Sequence, residues 1–204
     1  MTDARLARRR GHRLLRLLER LLLVAGIVGL GYYSWATVEA KLYQAYENRQ
    51  LDAILASAPP ASPERPVTRV APAPGSVMGR IEIARLGVSA VVRTGSDART
   101  LQLAVGHIPG TAYPGEPGNV GLAGHRDTFF RRLADVQPDD EIVMTTPEGR
   151  FIYRVERTDV VQPSDVWVLD PTPHPTLTLV TCYPFTYLGS APERFIVRAV
   201  GVRS

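Results

Sequence analysis

Short segments in which hydrophobic and polar residues alternate fill the part of the chain after residue 76. Alternation with a period of two is typical of strands that bury one face, and turn residues separate these segments. The pattern predicts seven strands, at 77–83, 88–93, 119–124, 141–145, 151–160, 176–181 and 194–200. Short helices are predicted at 98–103 and 129–134. Seven or eight strands in this length indicate a mainly β fold, a closed or nearly closed β-barrel.

The beginning of the chain has a different pattern, with an uncharged apolar stretch at 21–36 after a basic segment at 1–20. Sixteen residues are fewer than the roughly 20 that cross a bilayer. Arg16 and Arg20 can extend their charged ends to the lipid headgroups, which makes up the difference. We therefore predict a basic cytoplasmic N-terminus and a transmembrane anchor. A cleaved signal peptide is the alternative, because 34–36 has the small residues of a cleavage site.

Residues 37–76 connect this anchor to the strand-rich region. Up to about residue 56 they are helix formers with loosely helical apolar spacing, which predicts a helical stalk that continues the anchor. An amphipathic helix on the membrane or on the folded domain is the alternative. The segment 57–75 is rich in proline without apolar periodicity and is predicted to be an extended spacer. The folded domain is then predicted at 77–204.

The positive charge of the chain is concentrated at its beginning. The net charge is +4, and the first twenty residues hold seven arginines against Asp3 and Glu19, which leaves about −1 on the rest. A folded domain without a basic face argues against a nucleic-acid partner. Arginines before the apolar stretch place the N-terminus in the cytoplasm and the rest outside. We expect a single-pass protein of the cell membrane whose partner is the lipid bilayer.

Cys182 is the only cysteine of the chain and follows the predicted strand 176–181. A single cysteine cannot form an intramolecular disulfide. In an exported domain, a lone thiol is either an inert buried residue or a reactive group with a function. Both possibilities are compatible with its position at a strand-to-loop edge.

Two other side chains at strand ends bear on that choice. A thiol becomes a strong nucleophile as a thiolate, which a nearby histidine can stabilise, and His125 follows the strand 119–124. Arg194 opens the next strand after the cysteine, and its fixed charge and donors suit a developing oxyanion. The alternatives are a turn residue for His125 and a solubilising strand-edge residue for Arg194.

Three segments of the chain resemble the motifs of a known family, the sortases, which are membrane-anchored cysteine transpeptidases. They are Gly-His-Arg-Asp-Thr-Phe-Phe at 124–130, Thr-Leu-Val-Thr-Cys at 178–182 and Pro-Glu-Arg-Phe-Ile-Val at 192–197. The resemblance covers about residues 77–204 in the same order. The segment 106–112 and the Tyr-Pro-Phe after the cysteine are most similar to class D-type sortases. The resemblance implies a sortase-like eight-stranded barrel.

The resemblance also implies a two-step acyl transfer. Cys182 is the predicted nucleophile, and it forms a thioester with the substrate. His125 is expected to protonate the leaving amine and then to deprotonate the incoming one. Arg194 is expected to orient the substrate and to help hold the oxyanion. No cofactor is expected.

Further predictions concern the substrate groove. Thr181, His107 and Tyr183 are candidate substrate-binding residues; Thr181 filling a strand position and His107 stabilising its loop are the alternatives. The loops 161–175 and 183–192 are expected to form the two walls of the groove. No metal site is predicted: the acidic residues at 139–141 could bind calcium, as in some sortases, but a solvated turn is the preferred interpretation.

The implied partners are a protein with a sorting signal similar to Leu-Pro-x-Thr, cleaved after Thr, and an amine acceptor. That acceptor could be a cell-wall precursor, a pilin lysine or another amine. The process would be cell-surface anchoring or pilus assembly. A thiol peptidase that uses water as acceptor and a non-catalytic exported β-domain with a structural cysteine are the two alternatives.

Overall fold

The structure is a computed structural model that describes residues 3–57, 73–186 and 189–202. Its helices are α1 (Asp3–Ser57) and α2 (Ala98–Leu103), with short 3₁₀ helices at Ala84–Leu86, Arg131–Asp135 and Val166–Leu169. Its strands are β1 (Val77–Ile83), β2 (Val88–Thr94), β3 (Val105–His107), β4 (Asn119–Ala123), β5 (Glu141–Thr146), β6 (Gly149–Val161), β7 (Thr176–Tyr183) and β8 (Glu193–Gly201).

The eight strands form a closed barrel in the order β1-β2-β3-β4-β7-β8-β6-β5, which confirms the predicted fold class. The pairs β2–β3 and β4–β7 are parallel, and the other pairs are antiparallel. The carboxyl ends of parallel strands lie at the same end of a sheet. The topology therefore brings the residues that follow β4 and those at the end of β7 to one end of the barrel.

The barrel interior is filled by one face of each strand, as the alternation predicts. In β7, Leu177 and Leu179 are fully buried, and in β8 Val197 and Ala199 are fully buried. Bulky side chains from the other strands complete the core, among them Ile81, Val92, Leu122, Met144 and Tyr153. The barrel is thus a packed hydrophobic core, and chemistry must take place on its outer surface or at its ends.

Two elements of the domain differ from the sequence prediction. Strand β3 was not predicted, because it has only three residues and its central Gly106 interrupts the apolar pattern. A Cβ atom at Gly106 would lie 2.4 Å from the carbonyl oxygen of Gly95, so glycine is required there. The predicted helix at 129–134 is a 3₁₀ helix at Arg131–Asp135.

The first compact unit, residues 1–42, contains most of α1. The twenty residues Arg16–Trp35 are long and apolar enough to cross a membrane, and none of them is buried. This span includes Arg16 and Arg20, the residues expected to reach the headgroups. The structure therefore contains one candidate membrane span in the described residues, judged by length and composition.

The second compact unit starts at Tyr43, well before the predicted domain boundary at 77, and includes the end of α1. Leu51 of this helix is 2% exposed. The Gln44 amide bridges two main-chain groups of the barrel unit: its oxygen accepts from the Val91 N–H (2.9 Å) and its nitrogen donates to the Leu103 carbonyl (2.7 Å). A glutamine amide thus satisfies one main-chain donor of β2 and one main-chain acceptor at the end of α2.

Arg80 of β1 strengthens this contact. Its guanidinium lies 3.0 Å from the Asp52 carboxylate and 3.3 Å from the Asn48 side-chain oxygen. Arg93 lies over the Tyr43 ring at 5.3 Å from its centre. From Tyr43 onward α1 belongs to the same compact unit as the barrel and packs on it, while the predicted stalk that continues the anchor stays a prediction. The proline-rich spacer predicted at 57–75 lies outside the described residues, except for residue 57, which ends α1, and residues 73–75.

We expect Gln44→Leu to lower the melting temperature by about 4–8 °C. The substitution leaves the buried Val91 N–H and the Leu103 carbonyl without their partner, at a cost of about 1–3 kcal/mol for an unsatisfied buried group. Thermal unfolding of the full-length chain in detergent measures the loss, and hydrogen exchange reports on the Val91 amide. Gln50→Leu changes an exposed residue of the same helix and is the control. Equal exchange at Val91 in both variants would contradict this role of Gln44.

Candidate active site

Three strand ends meet at one end of the barrel, with β7 in the middle. Ala123 of β4 pairs with Val180 of β7, and the Gly124 N–H donates to the Val180 carbonyl (3.1 Å). Continuing this parallel register by two residues brings His125 beside Cys182. On the other side of β7, Arg194 is the direct antiparallel partner of Cys182. The structure thus pairs Arg194 with Cys182 and brings the chain just before His125 beside the strand of the cysteine, as expected if the three predicted catalytic residues act together.

Cys182 lies within β7 rather than after it, since the strand continues to Tyr183. The fully buried Leu179 and the buried Thr181 face the core, so the alternation turns Cys182 to the outer surface. Its strand partner Arg194 lies on the same face. Cys182 is half-buried and His125 is exposed. A peptide can approach this thiol from solvent.

The Arg194 guanidinium is oriented by the main chain just before β8. Its Nη1 atom donates to the carbonyls of Glu193 (2.9 Å) and Ala191 (3.3 Å). A guanidinium has five N–H donors in a fixed plane. The two bonds through Nη1 fix that plane, and no bond of Nε or Nη2 is seen among the described residues, so these donors can bind a substrate.

The turn that carries His125 is built from the residues of its motif. The His125 carbonyl accepts from the N–H groups of Phe130 (3.0 Å) and Thr128 (3.4 Å). Phe130 is fully buried and packs over Gly124, where an added Cβ would lie 2.7 Å from a ring carbon. Glycine and phenylalanine at these positions therefore shape the turn that presents His125. Sequence reasoning assigned no role to Phe130, although it belongs to the quoted motif.

We expect Gly124→Ala to destabilise the domain by about 1–3 kcal/mol, because the new methyl group collides with the Phe130 ring. The free energy of unfolding of the full-length chain in detergent measures the effect. Gly124→Ala combined with Phe130→Leu should cost less than the sum of the two single variants, since the smaller side chain makes room. Additive costs would show that the ring is not the obstacle.

Thr181 connects the strand of the cysteine to the turn of the histidine. Its hydroxyl donates to the Gly124 carbonyl at 2.8 Å, and the residue is 2% exposed. Gly124 immediately precedes His125, and Thr181 immediately precedes Cys182. This bond therefore helps to fix the spacing of the two. Substrate binding by Thr181 stays a prediction.

His107 is buried in β3, with 2% of its surface exposed. Its Nε2 donates to the Ala112 carbonyl at 2.9 Å, and its ring stacks on Tyr113 at 4.7 Å. Burial lowers the pKa of His107, which favours the neutral imidazole. The structure thus shows His107 holding the loop that follows β3, and does not place its ring on the surface shared by Cys182 and Arg194. Its predicted contact with substrate stays untested.

The Tyr183 ring packs against two phenylalanine rings. Its ring stacks on Phe195 and meets Phe185 edge-on, both with ring centres 6.1 Å apart. Strand alternation turns Tyr183 to the face opposite to that of Cys182. The structure therefore does not bring the Tyr183 ring to the outer face beside the thiol, and its predicted substrate contact stays a prediction.

The loop between β6 and β7 lies against the outer face of β4, β7 and β8. The buried Asn119 side chain donates to the carbonyls of Val168 (3.0 Å) and Asp170 (3.2 Å). Arg198 donates to the same Val168 carbonyl at 2.8 Å, and the Thr178 hydroxyl donates to the Asn119 oxygen at 2.7 Å. Sequence reasoning missed Asn119; a polar residue opening an otherwise apolar strand was the available signal. The predicted wall at 161–175 is thus anchored on the strands that carry the site.

The acidic turn at 139–141 has a structural partner. Asp140 is 6% exposed, and its Oδ2 atom lies 2.5 Å from the Nη2 atom of Arg85. The hydrogen bond from Arg85 lowers the pKa of Asp140 and keeps it ionised. Among the described residues, no group of three His, Cys, Asp or Glu side chains is placed to hold a metal ion.

Comparison with known proteins identifies the family. The sortase domain family matches residues 81–202, and the chain belongs to this family, as predicted. It is 35% identical over 127 residues to sortase D of Bacillus subtilis and 34% identical over 130 residues to sortase SrtE1 of Streptomyces coelicolor. These matches cover 62% and 54% of this chain, but only 64% and 37% of those two relatives.

The chain also resembles a solved structure of a sortase. The sortase D5 transpeptidase of Clostridium perfringens is 34% identical and superposes with a TM-score of 0.58, over 63% of this chain and 80% of that one. Two of these three similar proteins are named sortase D or D5, in agreement with the class D-like resemblance. The residues that match the family, 81–202, run from within β1 to the end of β8 and therefore include the three strand ends of the candidate site.

Proposed function

We propose that the protein is a membrane-anchored cysteine transpeptidase that cleaves a Leu-Pro-x-Thr-type sorting signal after Thr and transfers the acyl group to an amine. The observation that carries the proposal is the arrangement at one end of the barrel, in which Arg194 is the strand partner of Cys182 and the Gly124 N–H, one residue before His125, bonds to Val180 of the cysteine strand. A non-catalytic domain with a structural cysteine does not account for a half-buried thiol on the outer face between these two side chains.

In the first step, the Cys182 thiolate attacks the carbonyl carbon of the Thr residue. The carbonyl oxygen becomes an oxyanion, to which the free donors of Arg194 supply hydrogen bonds. The C–N bond then breaks, and the protonated His125 gives its proton to the departing amine. The products are a thioester on Cys182 and the released C-terminal fragment.

In the second step, the amine of the acceptor attacks the thioester carbonyl. The now neutral His125 takes the proton of that amine, the oxyanion forms again beside Arg194, and the C–S bond breaks. Cys182 leaves as a thiolate and His125 ends protonated, so the enzyme returns to its starting state. Water in place of the amine gives hydrolysis, which we expect as a slow side reaction.

The shape of the site suits an extended peptide. The outer faces of β4, β7 and β8 form a surface at which the half-buried Ala123 and Val180 adjoin Cys182, and the 161–175 loop lies beside it. Proline holds a peptide extended and removes one donor, which suits a groove beside a strand edge. We propose a protein with such a signal as the donor. A cell-wall precursor, a pilin lysine or another amine is the acceptor, and cell-surface anchoring or pilus assembly the process.

The candidate span Arg16–Trp35 supports retention in the cell membrane. The arginines before it place the N-terminus in the cytoplasm, so that the barrel lies on the extracytoplasmic side. Protease treatment of intact cells tests this orientation: the barrel should be digested and the first residues protected. A chain recovered without its first 36 residues would support the cleaved signal peptide instead.

Incubating the full-length chain in detergent with a labelled Leu-Pro-x-Thr peptide, with and without an added amine, tests the activity. Ligation to the amine supports the transpeptidase. Hydrolysed fragment alone, at every amine concentration, would support a peptidase. No cleavage, together with identical results for Cys182→Ala, would support the non-catalytic domain. A peptide with the same composition in scrambled order is the control for sequence recognition.

A further inference from the structure

Arg126, the residue after His125, binds the segment that follows the nucleophile. Its Nη1 donates to the Pro184 carbonyl at 2.9 Å, and its Nη2 donates to the Gly189 carbonyl at 3.1 Å. Pro184 is two residues beyond Cys182, and Gly189 is five further along the same connection to β8. One half-buried guanidinium therefore joins the turn of the histidine to two points of the β7–β8 connection.

These bonds form a second tie, meaning a set of hydrogen bonds, between the segment that carries His125 and the segment that carries Cys182. The first tie lies on the N-terminal side of the pair: the Gly124 N–H donates to the Val180 carbonyl (3.1 Å) and the Thr181 hydroxyl donates to the Gly124 carbonyl (2.8 Å). The Arg126 bonds lie on the C-terminal side of the same pair. Hydrogen bonds thus connect the two segments both before and after Cys182 and His125.

We propose that Arg126 is a positioning residue that holds the His125 turn and the chain after Cys182 in the spacing that the acyl transfer needs. The inference rests on the proposed function and adds to it a residue that does not take part in the chemical steps. Nucleophile and base must lie within hydrogen-bond reach, and a misplacement of about 1 Å can cost about 10²-fold in rate.

The chemistry of the side chain supports this role. Two carbonyl oxygens of the main chain accept from two different nitrogens of one rigid plane, an arrangement that a guanidinium fits and an ammonium does not. Arg194 binds the Ala191 and Glu193 carbonyls at the other end of the connection. Two arginines therefore hold the connection between β7 and β8. Arg126 of the histidine turn binds it at Pro184 and Gly189, and Arg194 of β8 binds it at Ala191.

We test the proposal with Arg126→Met and Arg126→Lys in the full-length chain in detergent. Methionine keeps the length of the side chain and removes both donors, and lysine restores one donor nitrogen. Arg131→Met, an exposed arginine five residues later, is the matched control. The measurements are kcat and KM for amine transfer, the melting temperature, and the rate at which iodoacetamide alkylates Cys182 without any peptide.

For Arg126→Met we expect kcat to fall about 10- to 100-fold while KM changes less than about threefold, because positioning acts on the chemical steps. Arg126→Lys should recover part of kcat, alkylation should slow at least about threefold in Arg126→Met, and Arg131→Met should match the wild type. An unchanged kcat, or a loss that only follows the melting temperature, would overturn the proposal. If the wild type does not process the peptide, the proposed function fails, and the alkylation rates still decide the role of Arg126.

Discussion

Cys182→Ala is expected to abolish amine transfer, with a loss in kcat of at least about 10⁴-fold, because both steps proceed through a bond to the sulfur. The thiol is half-buried at the end of β7, and its removal deletes one sulfur atom from a site open to solvent. We therefore expect only a small change in the melting temperature. Initial rates with the labelled peptide and a saturating amine measure the loss.

Trapping provides an independent test of the same residue. Mass spectrometry of the wild type, quenched in acid during turnover without amine, should show the peptide attached at Cys182. The alanine variant should show no adduct, and Cys182→Ser should show little, since a serine hydroxyl is far less acidic than a thiol. Transfer by Cys182→Ala within about tenfold of the wild-type rate would end the proposed mechanism.

His125→Ala is expected to lower kcat for a peptide substrate by about 10²- to 10⁴-fold, the usual contribution of a positioned acid and base. His125 lies on an exposed turn after β4, and its carbonyl rather than its ring holds the turn together. The substitution should therefore leave the fold intact. Transfer kinetics and thermal unfolding of the same sample separate the two effects.

The proton-transfer role can be separated from other roles of His125 with an ester in place of the scissile amide. A good alcohol leaving group needs no proton from the enzyme, so His125→Ala should be impaired much less with the ester than with the amide in the first step. His174→Ala changes an exposed histidine in the connection before β7 and is the control. Equal losses with both substrates would contradict the role of His125 as the acid.

Much of the barrel was predictable from alternation, because one face of each long strand is buried. The prediction was weakest where a strand is short: β3 has three residues, too few for a pattern, and its glycine is needed for close contact with Gly95. The spatial order of the strands could not be derived from spacing, since β4 pairs with β7, more than fifty residues later. The eight-stranded closure came from the family resemblance.

The candidate site shows a similar division. The motifs predicted Cys182, His125 and Arg194 as catalytic residues; in the structure Arg194 is the strand partner of Cys182, and the turn of His125 begins beside β7. The orientation of the neighbouring side chains could not be predicted, because the strand was expected to end before the cysteine. In the structure β7 continues to Tyr183, and strand alternation places Thr181 and Tyr183 on the opposite face of β7 from Cys182. Two of the partners of Arg126 are main-chain carbonyls, which no sequence pattern reveals.

The Gln44 contact has a practical consequence for biochemistry on this protein. A secreted fragment cut at the start of β1 would lose the amide that caps Val91 and Leu103, together with the Asp52 partner of Arg80. Water would then reach main-chain groups that the helix now shields, and such a fragment should aggregate or unfold more readily. A soluble version for crystallisation or inhibitor screening should therefore begin ahead of Tyr43.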